Sequence, residues 1–376
     1  MIKANAFNKL CVARFFLLLT LASCTVNKYR NTKSFVDLRG SEVIKDTFDT
    51  FLKARKDTLK IPGLSIFIID KGRIVHHKNL GFADVEKRLP ITSKTIFEGA
   101  SLSKSVFAFF VMIYVEEGKL ELDKPLFEYY PHPDLTYDER HKLITARMVL
   151  SHRSGLPNWR GNDGKDSLKL KFTPGTSYEY SGEAYQYLAT VLKHIDGVDW
   201  KGLEASFQKK IARPLGMKHT VFMQDAYTRE NKARPYDENG MFIDPQKDSY
   251  WISRANSEFG APYSIHSNAL DFSKWMICVM KEELLQRQSY SELFKNHSQL
   301  PSDSTEELYY TLGFVNIKFP KAQTAIYAHG GNNMGFTCLY LLDIEKDWGY
   351  IVFTNSEKGE QLGGEILDYL FPLKYR

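Results

Sequence analysis

The sequence predicts an α+β fold: an antiparallel sheet flanked by helices from both termini, with a mainly helical domain inserted into it. Three observations predict this. Toward the N-terminal end, the apolar run 64–69, the turn Asp70-Lys71-Gly72 and the returning run 73–77 read as an antiparallel hairpin. At the C-terminal end, the runs 309–319, 324–329, 335–342 and 349–354 alternate or run apolar. Gly330-Gly331-Asn332-Asn333 and Glu345-Lys346-Asp347 read as turns dividing them. From Ser103 to about Leu300, apolar residues recur at helical spacing, as at 106–116, 185–194, 200–211 and 270–283. The expected layout is therefore a sheet domain over 41–100 and 301–376, and a helical domain over 101–300.

Composition supports a folded core. Of 376 residues, 43% are hydrophobic and 25% charged, which excludes a mostly disordered or fibrous chain. A chain of this size buries roughly three quarters of its unfolded surface, so its core needs no metal or disulfide. The 50 Lys and Arg are interspersed with 45 Asp and Glu, without a basic run. Nucleic acid is not an expected partner. No metal is expected: His76-His77 lies in a strand without partners at ligand spacing.

The first element is an address. Lys3, Lys9 and Arg14 precede the apolar run 15–22, which is too short to span a bilayer comfortably. The run ends Leu21-Ala22-Ser23-Cys24, which resembles the lipobox of bacterial lipoproteins. That resemblance implies a signal peptide over 1–23 and a lipidated Cys24 that anchors the chain to a bilayer. The place implied is the bacterial cell envelope, facing the periplasm or the exterior. Losing the leader would lower the formal charge of +5 by three. Residues 24–40, with Lys28, Arg30 and Lys33, read as a polar tether. A helix is expected over 42–59, on Val43, Phe48, Phe51 and Leu52, and a closing helix over 361–371. Cys278 and Cys338 sit in apolar stretches and read as buried thiols, with a disulfide open to them in an oxidising compartment.

The sharpest chemical feature is Ser101-Leu102-Ser103-Lys104 at the head of the helix expected over 106–116. Positions three apart share a helix face, so Ser101 and Lys104 can meet. A serine hydroxyl becomes a strong nucleophile when a base takes its proton, and a lysine of lowered pKa is such a base. The spacing alone is weak: Ser206-Phe207-Gln208-Lys209 repeats it without supporting features, and Ser101 also reads as a helix N-cap.

The wider context resembles the serine β-lactamase and penicillin-binding protein family, in its class C, esterase and DD-peptidase branch. Ile61-Pro62-Gly63-Leu64-Ser65 is similar to the family's first strand, and Ser101-Leu102-Ser103-Lys104 to its nucleophile motif. Leu150-Ser151-His152-Arg153-Ser154-Gly155-Leu156-Pro157 is similar to its Leu-x-His-x-Ser-Gly-Leu segment. Tyr180-Ser181-Gly182 stands where the family has Tyr-x-Asn, and His329-Gly330-Gly331 where it has Lys-Thr-Gly. Leu215-Gly216-Met217 and Ser267-Asn268-Ala269-Leu270-Asp271 also fit.

The resemblance implies a β-lactamase-like fold and acyl transfer through Ser101, with Lys104 and Tyr180 moving the proton. Which of the two is the base stays open. It implies an oxyanion hole between the backbone N–H groups of Ser101 and Asn332, and substrate contacts at Gly182, His329, Gly330 and Gly331, with His329 reading equally as a neutral hydrogen-bonding residue that shapes the pocket. His152 and His266 are expected to hold backbone. No cofactor is implied. The implied partner is a small-molecule or peptidoglycan-like ester or amide, and the implied state a monomer.

Two departures matter. Gly182 lacks the amide that would hydrogen-bond an acylamino side chain, and His329 replaces a permanent cation. Both favour an ester or peptide-type substrate over a β-lactam. A class C-like β-lactamase, or a catalytically weak penicillin-binding or sensor protein, are the alternatives.

Overall fold

Runs that are apolar without a break become the central strands of one sheet, because both of their faces are covered. The structure is a computed structural model that describes residues 32–161, 166–244, 257–302 and 304–375. The leader, Cys24 and the tether as far as residue 31 lie outside the described residues.

Among the described residues, nine strands form an antiparallel sheet. In spatial order they are β5 (Leu89–Pro90), β4 (Arg73–Asp84), β3 (Gly63–Asp70), β13 (Trp348–Thr354), β12 (Phe336–Asp343), β11 (Thr324–Asn333), β10 (Val315–Phe319), β9 (Glu307–Tyr310) and β8 (Ser298–Leu300). The N-terminal hairpin meets the C-terminal strands where β3 pairs with β13, from Leu64–Thr354 to Ile69–Gly349. Two further two-stranded pairs join β1 (Ser34–Val36) to β2 (Glu42–Ile44), and β6 (Phe97–Glu98) to β7 (His266–Ser267).

The period-2 alternation of the central strands feeds two cores. On one face, Leu64, Ile66 and Ile68 of β3 and Tyr350 and Val352 of β13 pack with Phe48 and Leu52 of helix α1 (Lys45–Thr58). Leu362 and Ile366 of α5 (Gly359–Leu370) complete this layer. On the other face, Phe67, Ile69, Ile351 and Phe353 join the larger core of the helical region. Helix α2 (Leu102–Glu116) runs through that core and is apolar on nearly every side, as a buried helix must be. Helices α3 (Gly182–Ile195) and α4 (Ala269–Met280) pack around it. The chain is thus α+β, and the sheet and helical region share one core.

Three expectations shift. Residues 34–40, read as tether, are built into the fold: Phe35 and Leu38 are buried, and the Trp348 indole N–H donates to the Val36 carbonyl at 2.8 Å. The single strand expected over 309–319 is two, because a turn at 311–314 sends the Gly313 N–H to the Leu150 carbonyl. Gly330 to Asn333 are not a turn. They extend β11, with Gly331 opposite Cys338 and Asn332 opposite Thr337, and the reversal comes after them. Cys278 and Cys338 are both buried, free thiols.

Candidate active site

The nucleophile's position begins with backbone strain. β6 ends at Glu98, the Gly99 N–H donates to the Ile265 carbonyl at 2.7 Å, and Ala100 adopts φ +43°. That left-handed conformation costs an alanine roughly 1 kcal/mol or more and turns the chain sharply into α2. Ser101 thereby stands at the helix N-terminus, partly exposed. Its side chain caps nothing. Its hydroxyl instead accepts a hydrogen bond from Lys104 Nζ at 3.1 Å.

Lys104 is 1% exposed, and its Nζ also donates to the Pro262 carbonyl at 2.8 Å. Burial without a carboxylate partner lowers its pKa to about 7. Tyr180 completes the cluster. Its phenol lies beside Ser101, burial pushes its pKa up, and Lys104 Nζ lies 4.5 Å from its ring centroid. The structure has the amine over the ring face, and burial sets the phenol's pKa.

His152 holds Tyr180 from behind. The Glu179 N–H donates to the His152 carbonyl at 2.9 Å, and the Ser181 N–H donates to His152 Nδ1 at 3.0 Å. Both residues flanking Tyr180 are thus tied to one residue, which fulfils the expectation that His152 holds backbone. Burial, and then the charges of Lys104 and His329, push the His152 pKa well down. Its neutral ring packs 4.3 Å from that of Tyr180, centroid to centroid. His266 likewise binds backbone, through the Ser264 carbonyl.

The opposite wall is β11. β10 pairs with it only as far as Ala328, so residues 329–333 run on beside the nucleophile's turn. A Cβ on Gly331 would lie 2.5 Å from the Gly99 carbonyl oxygen, 2.6 Å from Cys338 Sγ and 3.2 Å from Ala100 Cβ. Only glycine lets this strand come so close, and Asn332 follows directly. Gly331→Ala is expected to destabilise the fold by about 1–3 kcal/mol, read by urea unfolding, and to lower activity, because the strand must move off the 99–101 turn.

His329 takes the second of its two expected parts, a neutral hydrogen-bonding residue that shapes the pocket. It is 6% exposed, and both ring nitrogens are engaged. The Tyr310 hydroxyl donates to Nε2 at 2.9 Å, and Nδ1 donates to the Gly330 carbonyl at 2.6 Å. Burial, then Lys104, push its pKa down to about 3, so it is neutral. At the strand's end, Asn333 Nδ2 donates to Glu98 at 2.7 Å. Against burial, which raises it, Lys232 holds the Glu98 carboxyl down at about 2. This pair ties β11 to the strand leading into Ser101.

Gly182 is buried at the start of α3, where the space beside it belongs to Trp159. Ser101, Lys104, Tyr180, Gly182, His329, Gly330, Gly331 and Asn332 therefore converge from three stretches of chain. Pro262, Asn333 and Trp159 carried no signal in the sequence, since each matters only through a contact distant in the chain.

The family model for the β-lactamases, described as Beta-lactamase, matches residues 48–371. The protein flp of Staphylococcus aureus (strain MW2) is 24% identical over 333 residues, covering 82% of this chain and 62% of its own length. The chain thus spans less than two thirds of that relative. PbpX of Bacillus subtilis (strain 168), whose name places it among penicillin-binding proteins, is 25% identical over 357 residues, covering 92% of this chain and 83% of its own. An octameric penicillin-binding protein homologue from Pyrococcus abyssi shares the fold with a TM-score of 0.69 at 23% identity, over 83% of this chain and 73% of its own. With the family's motifs gathered around one Ser–Lys–Tyr cluster, and its model matching most of the sequence, this chain belongs to the β-lactamase family.

Proposed function

We propose that the protein is a serine hydrolase that cleaves an ester or amide through an acyl-Ser101 intermediate. The observation that carries this reading is the Ser101–Lys104 pair: a 3.1 Å contact to a buried amine whose pKa is about 7. A base with that pKa is half neutral at neutral pH and strong enough to take a serine proton in the transition state. Lys104 is then the base, and Tyr180, its pKa raised, works as a protonated phenol that hands protons on.

Ser101 Oγ attacks the carbonyl carbon as its proton passes to the neutral Lys104 amine. The oxyanion meets the N–H groups of Ser101 and Asn332. The tetrahedral intermediate collapses, and the departing alcohol or amine takes the proton from Lys104 by way of Tyr180. Water then repeats the sequence on the acyl-enzyme and releases the acid.

Neutral His329 offers no charge to a substrate carboxylate, which supports esters and simple amides over β-lactams. A steady-state panel of esters, peptides and nitrocefin tests this. Ester or peptide turnover above nitrocefin turnover is expected. Dominant nitrocefin turnover would restore the β-lactamase reading, and stoichiometric acylation without release would make the protein a weak penicillin-binding sensor.

The acylation limb of kcat/KM is expected to rise with pH through about 7, because only the neutral amine accepts the proton. A pH–rate profile with a fixed ester checks it. Lipidation at Cys24, attachment to a bilayer, a place in the cell envelope and a monomeric state belong to the same proposal. They rest on the sequence pattern at 1–24 and on the resemblance.

A further inference from the structure

We infer that Trp159 sets the substrate specificity of this site, and that it selects a flat, apolar substituent on the Tyr180 side of the reacting carbonyl. The inference rests on the acyl-Ser101 reading and names a substrate class for it.

The space beside Gly182 is already occupied. A Cβ there would lie 2.6 Å from Trp159 Cη2, 2.8 Å from Cζ3 and 2.9 Å from Cζ2. The benzo edge of the indole therefore fills the volume that any side chain at 182 would need. The ring is fixed there because its loop is bonded to the turn that carries Gly182. The Gly182 N–H donates to Asn158 Oδ1 at 3.0 Å, and the Glu183 N–H to the Asn158 carbonyl at 3.1 Å. Ser181 Oγ donates to the Pro157 carbonyl at 2.8 Å, and the Arg160 N–H to Glu183 Oε1 at 3.2 Å. Bonds thus fall on both sides of Trp159.

From Gly182 the indole reaches across to Tyr263, whose ring it meets edge-on at 5.8 Å and 81°. Tyr263 follows Pro262, the residue whose carbonyl anchors Lys104. Trp159 thus lies between the segment bearing Tyr180 and the segment holding the base, and it is only half buried. A ligand joined to Ser101 on this side meets an aromatic ring where a side-chain amide would otherwise stand. Such a surface favours aromatic or other flat apolar groups by area burial and ring–ring geometry, and gives no directed hydrogen bond from position 182.

Boronic acids test this without requiring turnover. The boron accepts an electron pair from Ser101 Oγ, the serine proton passes to Lys104, and no leaving group departs. Benzylboronic acid is expected to bind wild type at least about tenfold more tightly than methylboronic acid, and Trp159→Ala to remove about tenfold from that ratio. Trp159→Phe, which keeps a ring, should retain most of it. Trp159→Leu, which keeps bulk without a ring, reads the same ratio if the alanine variant does not fold. An equal ratio in wild type and the ring-less variants would overturn the inference while leaving acyl transfer intact. If neither acid binds wild type more tightly than Ser101→Ala, the acyl-Ser101 reading itself falls, and this inference with it.

Discussion

Ser101→Ala is expected to lower ester or amide turnover by about 10⁴-fold or more, with no loss of stability. The two halves of this result follow from different observations. The hydroxyl at the α2 N-terminus accepts from Lys104 Nζ and lies beside Tyr180. Yet the same side chain caps no backbone N–H, so the helix does not depend on it. Ser103 would behave differently, since its hydroxyl donates to the Ala100 carbonyl and accepts from the Ile265 N–H at 2.9 Å. Steady-state kinetics and thermal melting on one preparation check both halves. A Ser101→Ala protein that melts well below wild type would return Ser101 to the role of a structural cap.

Lys104→Met is the second large expected effect: a loss of about 10²–10⁴-fold in the acylation rate, together with loss of the pH limb near 7. Methionine fills similar volume without a titrating group, so the two effects belong to the amine. The sign of the stability change follows from linkage. The folded pKa of about 7 lies below the ordinary value of 10.5, so the unfolded chain binds more protons between those two values. Wild-type stability therefore gains from this group as pH rises through that window, and Lys104→Met lacks the gain. Any advantage of the variant below pH 7 should shrink steadily as pH rises, as thermal melting at several pH values reads.

Much of this was legible in the sequence, for physical reasons. Residues 64–69 and 349–354 announce central strands because apolar side chains on both faces need two cores, and two cores cover them. Ser101 and Lys104 meet because helical spacing is local geometry. What the sequence hid depends on distant chain. Gly330 to Asn333 have the residues of a turn, but pairing with β12 holds them extended. Polar neighbours masked Phe35 and Leu38, which are buried only once β1 joins the fold. The sequence leaves the base open between Lys104 and Tyr180 because burial bears on it, and burial acts on the two groups in opposite senses. For His329 the motif leaves substrate contact and pocket shaping equally open. Tyr310 and the Gly330 carbonyl, which occupy its nitrogens, become visible only in the fold.

The most direct measurement is the rate at which an alkyl fluorophosphonate modifies the protein across about pH 5 to about pH 9, with the adduct located by peptide mass. The account predicts one adduct, on Ser101, forming along a single limb that rises through about pH 7 and is absent in Lys104→Met. An adduct on another residue, or a Ser101 rate that is flat through pH 7, would contradict it.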